Sequence, residues 1–548
     1  MQSVQLEVVR DTYTHNSSIM GSTNQWQDVV EAKRRLREEL LGQEISSDLK
    51  QLPISDIAEY HTALLSRQTT CEATIRGYIT RARETHRQTN CLTEIVFEPA
   101  IQRAQELDAH LSRTGALFGP LHGLPVTLKD QFNIKGYDST MGYVGRAFQP
   151  ADEDAVLVRI LEDLGAVILA KSNLPQSIMW CETENPLWGL TTHLTDPTYT
   201  PGGSTGGEGV LLANGASCLG WGTDIGGSIR IPSHMQGLYG LKPTSSRLPY
   251  RGVPISTEGQ EHVPSSVGPM AQSLNMIELA MRAVLSQKPW EKDARCVPIP
   301  WREDIFQEVL GQPSLTVGVL FDDGVVSPHP PVTRVLGEAV EMLKQAGHDM
   351  VLWNSDLHAE CIAVMDQFYT ADGGQDIRDA VAAGGEPLIP HVDKLINGGA
   401  DAISVYQYWQ LNKQKFHLQQ RYLDKWNEIR SPTTGRPVDV LVVPPMPHAA
   451  VPHRACRWVG YTKVWNFLDY SALVIPAGKV SSSDLDTPWD CDGREGPADR
   501  WNASLWQDHK RRMAELELAV GVQLVCRKAE EEKLLAAARI IDGIVNGR

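Results

Sequence analysis

The sequence predicts an α/β fold, one large domain whose sheet is covered by helices on both faces. Three observations carry this. Short apolar runs such as Ala166–Ala170 (AVILA) and Val438–Val443 (VDVLVV) read as strands buried on both sides. These runs alternate with amphipathic helical stretches, the pattern of strand–helix–strand units. No Pro-, Gly- or charge-rich linker divides the 548 residues, so one unit is expected rather than several.

Taken in order, residues 1–25 are polar and expected to be flexible, and residues 26–548 form the domain. Its N-terminal helices occupy 26–112, with helical spacing over Trp26–Leu41, Ile54–Ser66, Glu72–Gln88 and Pro99–Ser112. The core follows at 115–260. Pro125–Leu128 reads as a strand running into Lys129-Asp130, Asp154–Gly165 as a helix and Ala166–Ala170 as a strand. GLYGLKPTSSRLPYRG reads as turns. Beyond 261, Asn275–Leu285, Val332–Ala346, Val405–Ile429 and Glu530–Ile544 have helical spacing. Leu315–Leu320, Met350–Trp353, Val438–Val443, Ser471–Pro476 and Val520–Cys526 read as strands. Val480–Asp508, rich in Pro, Gly and Asp, is expected to be a surface excursion.

Composition excludes several functions. The net charge is −16 and no run of five or six basic residues occurs, which argues against nucleic acid as the main partner. Nine scattered cysteines, odd in number and never in a C-x-x-C pair, point to a reducing compartment without a zinc site. The first residues lack a signal-peptide pattern, and no stretch approaches a membrane span. No H-x-x-x-H pair occurs, and GGSTGGEG lacks the register of a nucleotide loop. A cytoplasmic enzyme without metal or cofactor is the expectation.

The chemistry concentrates in Thr200–Arg230, TPGGSTGGEGVLLANGASCLGWGTDIGGSIR. Two glycine-rich turns each hold one serine, Ser204 and Ser228. Backbone N–H groups freed in such turns make a concavity for an anion. A serine beside it has what acyl transfer needs, a nucleophile with donors for the oxyanion. If the turns meet Lys129 in space, Ser228 is the nucleophile. The N–H groups of Ile225, Gly226, Gly227 and Ser228 are then the oxyanion donors, and a buried, neutral Lys129 is the base. Asp224 and Arg230 flank the serine as candidates to support the loop, whereas His122 and His234 read as structural. Trp221 either packs in the core or narrows the site.

GPLHGLPVTLKD, GGSTGGEG and GTDIGGSIRIP together resemble the amidase signature family, and the likeness runs from about Lys33 to the C-terminus. Within that family the chain is most similar to the fungal acetamidase type, through MGY at 141–143, CETEN at 181–185, GLKPTSSRLPY at 240–250, PIPWR at 298–302, SPHPP at 327–331 and GVQLVCRKAEEEKLL at 521–535. The resemblance implies a mixed sheet and a cofactor-free amidase releasing an acid and ammonia or an amine. Lys129 is matched to the base, Ser228 to the nucleophile and Ser204 to a bridging serine that follows a cis bond at Gly203–Ser204. Ser204 and Ile178 would also touch substrate, Ile178 standing where a related fatty-acid amide hydrolase has a methionine. Thr223 is expected among the supporting groups, and Thr205 replaces the second serine of many relatives. The expected partners are a small-molecule amide and, at most, a second copy of the chain in a homodimer. Two alternatives stay open: a hydrolase dedicated to one larger secondary-metabolite amide, and a glutaminase-type subunit of an amidotransferase complex.

Overall fold

The computed structural model describes residues 25–45, 54, 56–398, 401–489 and 496–547. The segment expected to be flexible lies outside these residues, apart from Gln25.

The helices are α1 Gln25–Gly42, α2 Ile57–Leu65, α3 Cys71–Thr89, α4 Phe97–Thr114, α5 Val156–Asp163, α6 Gly206–Ala213, α7 Arg230–Gln236, α8 Leu274–Ser286 and α9 Glu303–Leu310. They continue with α10 Pro330–Gln345, α11 His358–Tyr369, α12 Gln375–Gly384, α13 Pro390–Asn397, α14 Val405–Glu428, α15 Gly460–Phe467, α16 Pro497–Glu515 and α17 Glu531–Asn546. The strands are β1 Leu92–Ile95, β2 Pro125–Lys129, β3 Val167–Ser172, β4 Glu184–Asn185, β5 Gly189–Leu190, β6 Leu219–Asp224 and β7 Tyr239–Lys242. After them come β8 Ser266–Ala271, β9 Thr316–Val319, β10 Asp349–Leu352, β11 Val440–Val443, β12 Ser471–Lys479 and β13 Ala519–Cys526.

Apart from the β4–β5 hairpin, the strands form one 11-stranded sheet in the order β1-β3-β2-β6-β8-β7-β12-β13-β11-β9-β10. It is mixed: β3, β2 and β6 run parallel, whereas β8, β7, β12 and β13 join antiparallel. Every residue of β2, β3 and β6 is buried, as expected of strands with helices on both faces. Their parallel pairing brings the carboxyl ends Lys129, Ser172 and Asp224 to one edge, where open α/β sheets bind ligands.

Local sequence sets the element ends. The Asp56 carboxylate accepts from Ala58 N–H at 2.6 Å and caps α2, and the Thr70 hydroxyl accepts from Ala73 N–H at 3.0 Å and caps α3. Two expectations need correction. GLYGLKPT is not all turn, because Tyr239–Lys242 is the buried strand β7. Val480–Asp508 is not all surface excursion: α16 begins inside it and buries Trp506 to 1% exposure. Polar residues that read as solvent-facing are internal partners there. Asp499 Oδ1 accepts from Ser327 N–H at 2.6 Å, and Asn502 Nδ2 donates to Ser327 O at 2.8 Å.

Candidate active site

Lys129 closes β2 and is wholly buried. Its amine lies 2.6 Å from Ser204 Oγ and 3.0 Å from Thr223 Oγ1. Thr223 donates onward to Gln131 Oε1 at 2.8 Å, and Gln131 Nε2 donates to Pro254 O at 2.9 Å. Burial pushes the lysine down to about 7, against the raising effect of the Asp224, Asp130 and Glu208 charges. The amine is therefore close to half neutral near pH 7. Neutral, it has a lone pair into which the Ser204 hydroxyl can donate over the same 2.6 Å.

Ser204 follows a cis Gly203–Ser204 peptide and precedes α6. Gly203 is required by close approach, since a Cβ there would stand 2.6 Å from the Glu182 backbone nitrogen. The Ser228 carbonyl accepts from Thr205 N–H at 3.1 Å, which brings the two glycine turns together. Ser204 is 1% and Ser228 8% exposed, so Ser228 is the more open hydroxyl.

The second turn is held by Asp224 and Arg230, both buried and paired at 2.9 Å. Asp224 Oδ1 also accepts from Gly227 N–H at 2.8 Å, and Oδ2 from Ile229 N–H at 3.1 Å. Burial alone would raise this carboxyl, but the Arg230 charge and hydrogen bonds, with Lys242 and Asn466, hold it well below the usual carboxylate range. Arg230 reaches onward to Thr462 O at 2.9 Å and Gln523 Oε1 at 2.7 Å. One expectation changes here. The Gly227 N–H is already taken by Asp224, while among the described residues none accepts from the N–H groups of Ile225, Gly226 or Ser228.

Other residues fall as follows. Ile178 is 2% exposed and packs with Met141, Tyr143 and Leu174. Trp221 is wholly buried in the main hydrophobic cluster, so it packs rather than narrows the site. The Thr205 methyl fills the space beside Gly222, where a Cβ would meet it at 2.6 Å. His234 is structural, its Nδ1 accepting from Gly521 N–H and its Nε2 facing His448 O, both at 3.0 Å. His122 accepts from Phe118 N–H at 2.9 Å.

The sequence reading missed Gln131, Glu208, Tyr369, Thr462 and Asn466. Gln131 was two positions from Lys129 on the same run, and Glu208 was a lone charge beside the apolar run Val210–Ala213. Burial raises the Glu208 carboxyl to about 8, and Thr127 donates to it at 2.6 Å. The last three come from distant helices that carry no motif.

A mixed sheet whose strand ends bring a buried lysine of lowered proton affinity to a serine, beside a glycine loop with unpaired N–H groups, is an arrangement suited to hydrolysing an amide bond. The Amidase family model matches residues 73–535. The chain is 52% identical over 527 residues to Amidase 1 of Gibberella moniliformis, covering 95% of this chain and 99% of that one. It is 36% identical to an acetamidase of Emericella nidulans, over 86% of this chain and 85% of the relative. Among solved structures it resembles a fatty acid amide hydrolase with a TM-score of 0.84 at 27% identity, covering 95% of each chain. The chain belongs to the amidase family.

Proposed function

We propose that this chain hydrolyses a small or aromatic carboxamide to the acid and ammonia or an amine, with Ser228 as nucleophile, Ser204 as relay and Lys129 as base. The observation that carries the reading is the 2.6 Å contact between Ser204 Oγ and a wholly buried Lys129 pushed down to about 7. Neutral Lys129 takes the Ser204 proton as Ser204 takes that of Ser228. The Ser228 oxygen then attacks the amide carbon, and the carbonyl oxygen becomes an oxyanion. The N–H groups of Ile225, Gly226 and Ser228 receive that charge, while Gly227 serves the loop through Asp224. Ser204 returns a proton to the nitrogen as the C–N bond breaks, which lets an amine leave neutral. Water, deprotonated by the same relay, cleaves the acyl-enzyme.

The relatives' names, amidase and acetamidase, support a carboxamide substrate. Ile225 belongs to an apolar cluster that holds Phe368 and has Met179 and Ile255 packed against it, which supports an apolar acyl group. The described cysteines are free and buried, in keeping with a reducing, cytoplasmic setting. Turnover of acetamide and indole-3-acetamide by Ser228→Ala and Lys129→Ala tests the reading. Each variant is expected to lose nearly all activity, because members of one catalytic unit act non-additively. Near wild-type turnover in either variant contradicts the assignment.

A further inference from the structure

We propose that Tyr369, Thr462 and Asn466 are positioning residues that aim the oxyanion donors by holding the loop's carbonyls from behind. The proposal rests on the reading of 225–228 as the oxyanion loop. Three consecutive carbonyls are each bonded by a side chain from outside the loop. Asn466 Nδ2 donates to Asp224 O at 3.2 Å, the Tyr369 hydroxyl to Ile225 O at 3.1 Å and the Thr462 hydroxyl to Gly226 O at 2.7 Å. In a trans peptide the C=O and the next N–H point in opposite directions. Holding these oxygens therefore turns the N–H groups of Ile225, Gly226 and Gly227 to the other side of the loop. The third is taken by Asp224 at 2.8 Å, and the first two have no acceptor among the described residues.

The holding groups are themselves braced. Thr462 and Asn466 are four residues apart on α15 and so share one of its faces. Arg230 fixes that face by donating to Thr462 O at 2.9 Å and to Asn466 Oδ1 at 2.6 Å. Tyr369 closes α11, and Lys463 of α15 pairs with Asp366 of α11 at 2.5 Å. Ile225 is anchored in the cluster that holds Phe368, Val464 and Trp465. Loop residues must also stay small for the hydroxyls to reach. A Cβ on Gly226 would stand 2.8 Å from the Tyr369 oxygen, and one on Gly227, where φ is +134°, would meet the Thr462 hydroxyl. A buried loop ordinarily satisfies its carbonyls and its amides alike. Carbonyls held and amides left open is the arrangement of a site that waits for an anion.

Tyr369→Phe and Thr462→Val remove one hydroxyl each. Losing an oxyanion donor outright costs about 100- to 1,000-fold in kcat, so loosening its aim is expected to lower kcat roughly tenfold. KM should stay within about twofold, and the acid limb of the pH profile, which reports Lys129, should not move. Phenylboronic acid, which forms a tetrahedral adduct on the serine, should bind more weakly by the same factor as kcat falls. Thr462→Ser keeps the hydroxyl and should keep wild-type kcat. Wild-type kcat in both single variants overturns the proposal, as does a Thr462→Ser variant as slow as Thr462→Val. So does a loss shared alike by kcat, thermal stability and the acid limb. Ser228→Ala separates the two levels of the argument. If it still turns over substrate, the nucleophile reading falls. If it is dead while Tyr369→Phe and Thr462→Val are normal, only the positioning role falls.

Discussion

A lysine with its amine wholly buried is an unusual base, and its depressed affinity for protons has two consequences that can be measured separately. In catalysis, kcat/KM for an uncharged amide should rise with pH through about 7 and then level off, as Lys129 sheds its proton. A rate that holds or climbs into acid contradicts a neutral-lysine base. In stability, burial pushes the same lysine from its ordinary 10.5 down to about 7 in the folded protein. Below the folded value both states are protonated, and the native state carries the full cost of burying a charge. That cost fades as pH rises from about 7 toward 10.5. Relative to wild type, Lys129→Met should therefore gain most in melting temperature near about pH 6 and least near about pH 9. A difference independent of pH between about 6 and 9 would mean that the folded lysine stays charged across that range, its affinity for the proton not lowered by burial. Of the expected site residues, Ser204 and Ser228 stood out through the glycine-rich turns that hold them, and Lys129 through its place at the end of the apolar run Pro125–Leu128. The commitment of the Gly227 amide to Asp224 was not legible, since spacing does not say which of four adjacent N–H groups turns inward.

At the scale of elements, α1 illustrates how a helix remote from the chemistry is tied to the sheet. Lys33 on α1 lies 2.6 Å from both Glu94 on β1 and Asp138, and Arg37 donates to Leu92 O at 2.9 Å. Burial lowers the Lys33 affinity for its proton, but the two carboxylates more than restore it, so the amine stays charged. Lys33→Met would leave two buried carboxylates facing each other. The expected cost is about 3–5 kcal/mol of stability, with kcat nearly unchanged where the protein remains folded. Chemical denaturation measures it, and a loss near zero would show the triad to be passive. Long elements such as α1, α3, α10 and α14 were legible from their helical period, and β3 and β11 from their apolar runs. Several short helices were not, although α2 and α5 were. α11, α12, α13 and α15 span 12 residues at most, which gives their patterns little length in which to repeat. In α15 all eight residues are buried, so no polar face marks its period. In α16 the polar residues Asp499 and Asn502 face inward to bond Ser327.

Over the whole molecule, the strand order explains why one site gathers residues from so far apart in the chain. Parallel β3, β2 and β6 end on the same edge, and the antiparallel strands that follow carry β13, with Gln523, up to Arg230. Helix α15 then closes over the glycine loop from some 240 residues downstream, with Asn466 bonding Asp224 at a separation of 242. The sheet and its helical covers could be foreseen from the alternation of apolar runs and helical periods. The convergence of α11 and α15 on the loop could not, because it is set by packing between segments with no local signature. Among the described residues no helix is long and apolar enough to cross a membrane. The central claim is that Ser228, and not the buried Ser204, becomes acylated. Incubation with a fluorophosphonate probe followed by peptide mapping tests this most directly. The account predicts a single modification, on Ser228, that disappears in Ser228→Ala and is strongly slowed in Lys129→Ala. A label on Ser204 or elsewhere, or an enzyme that hydrolyses amides while leaving Ser228 unmodified, would contradict it.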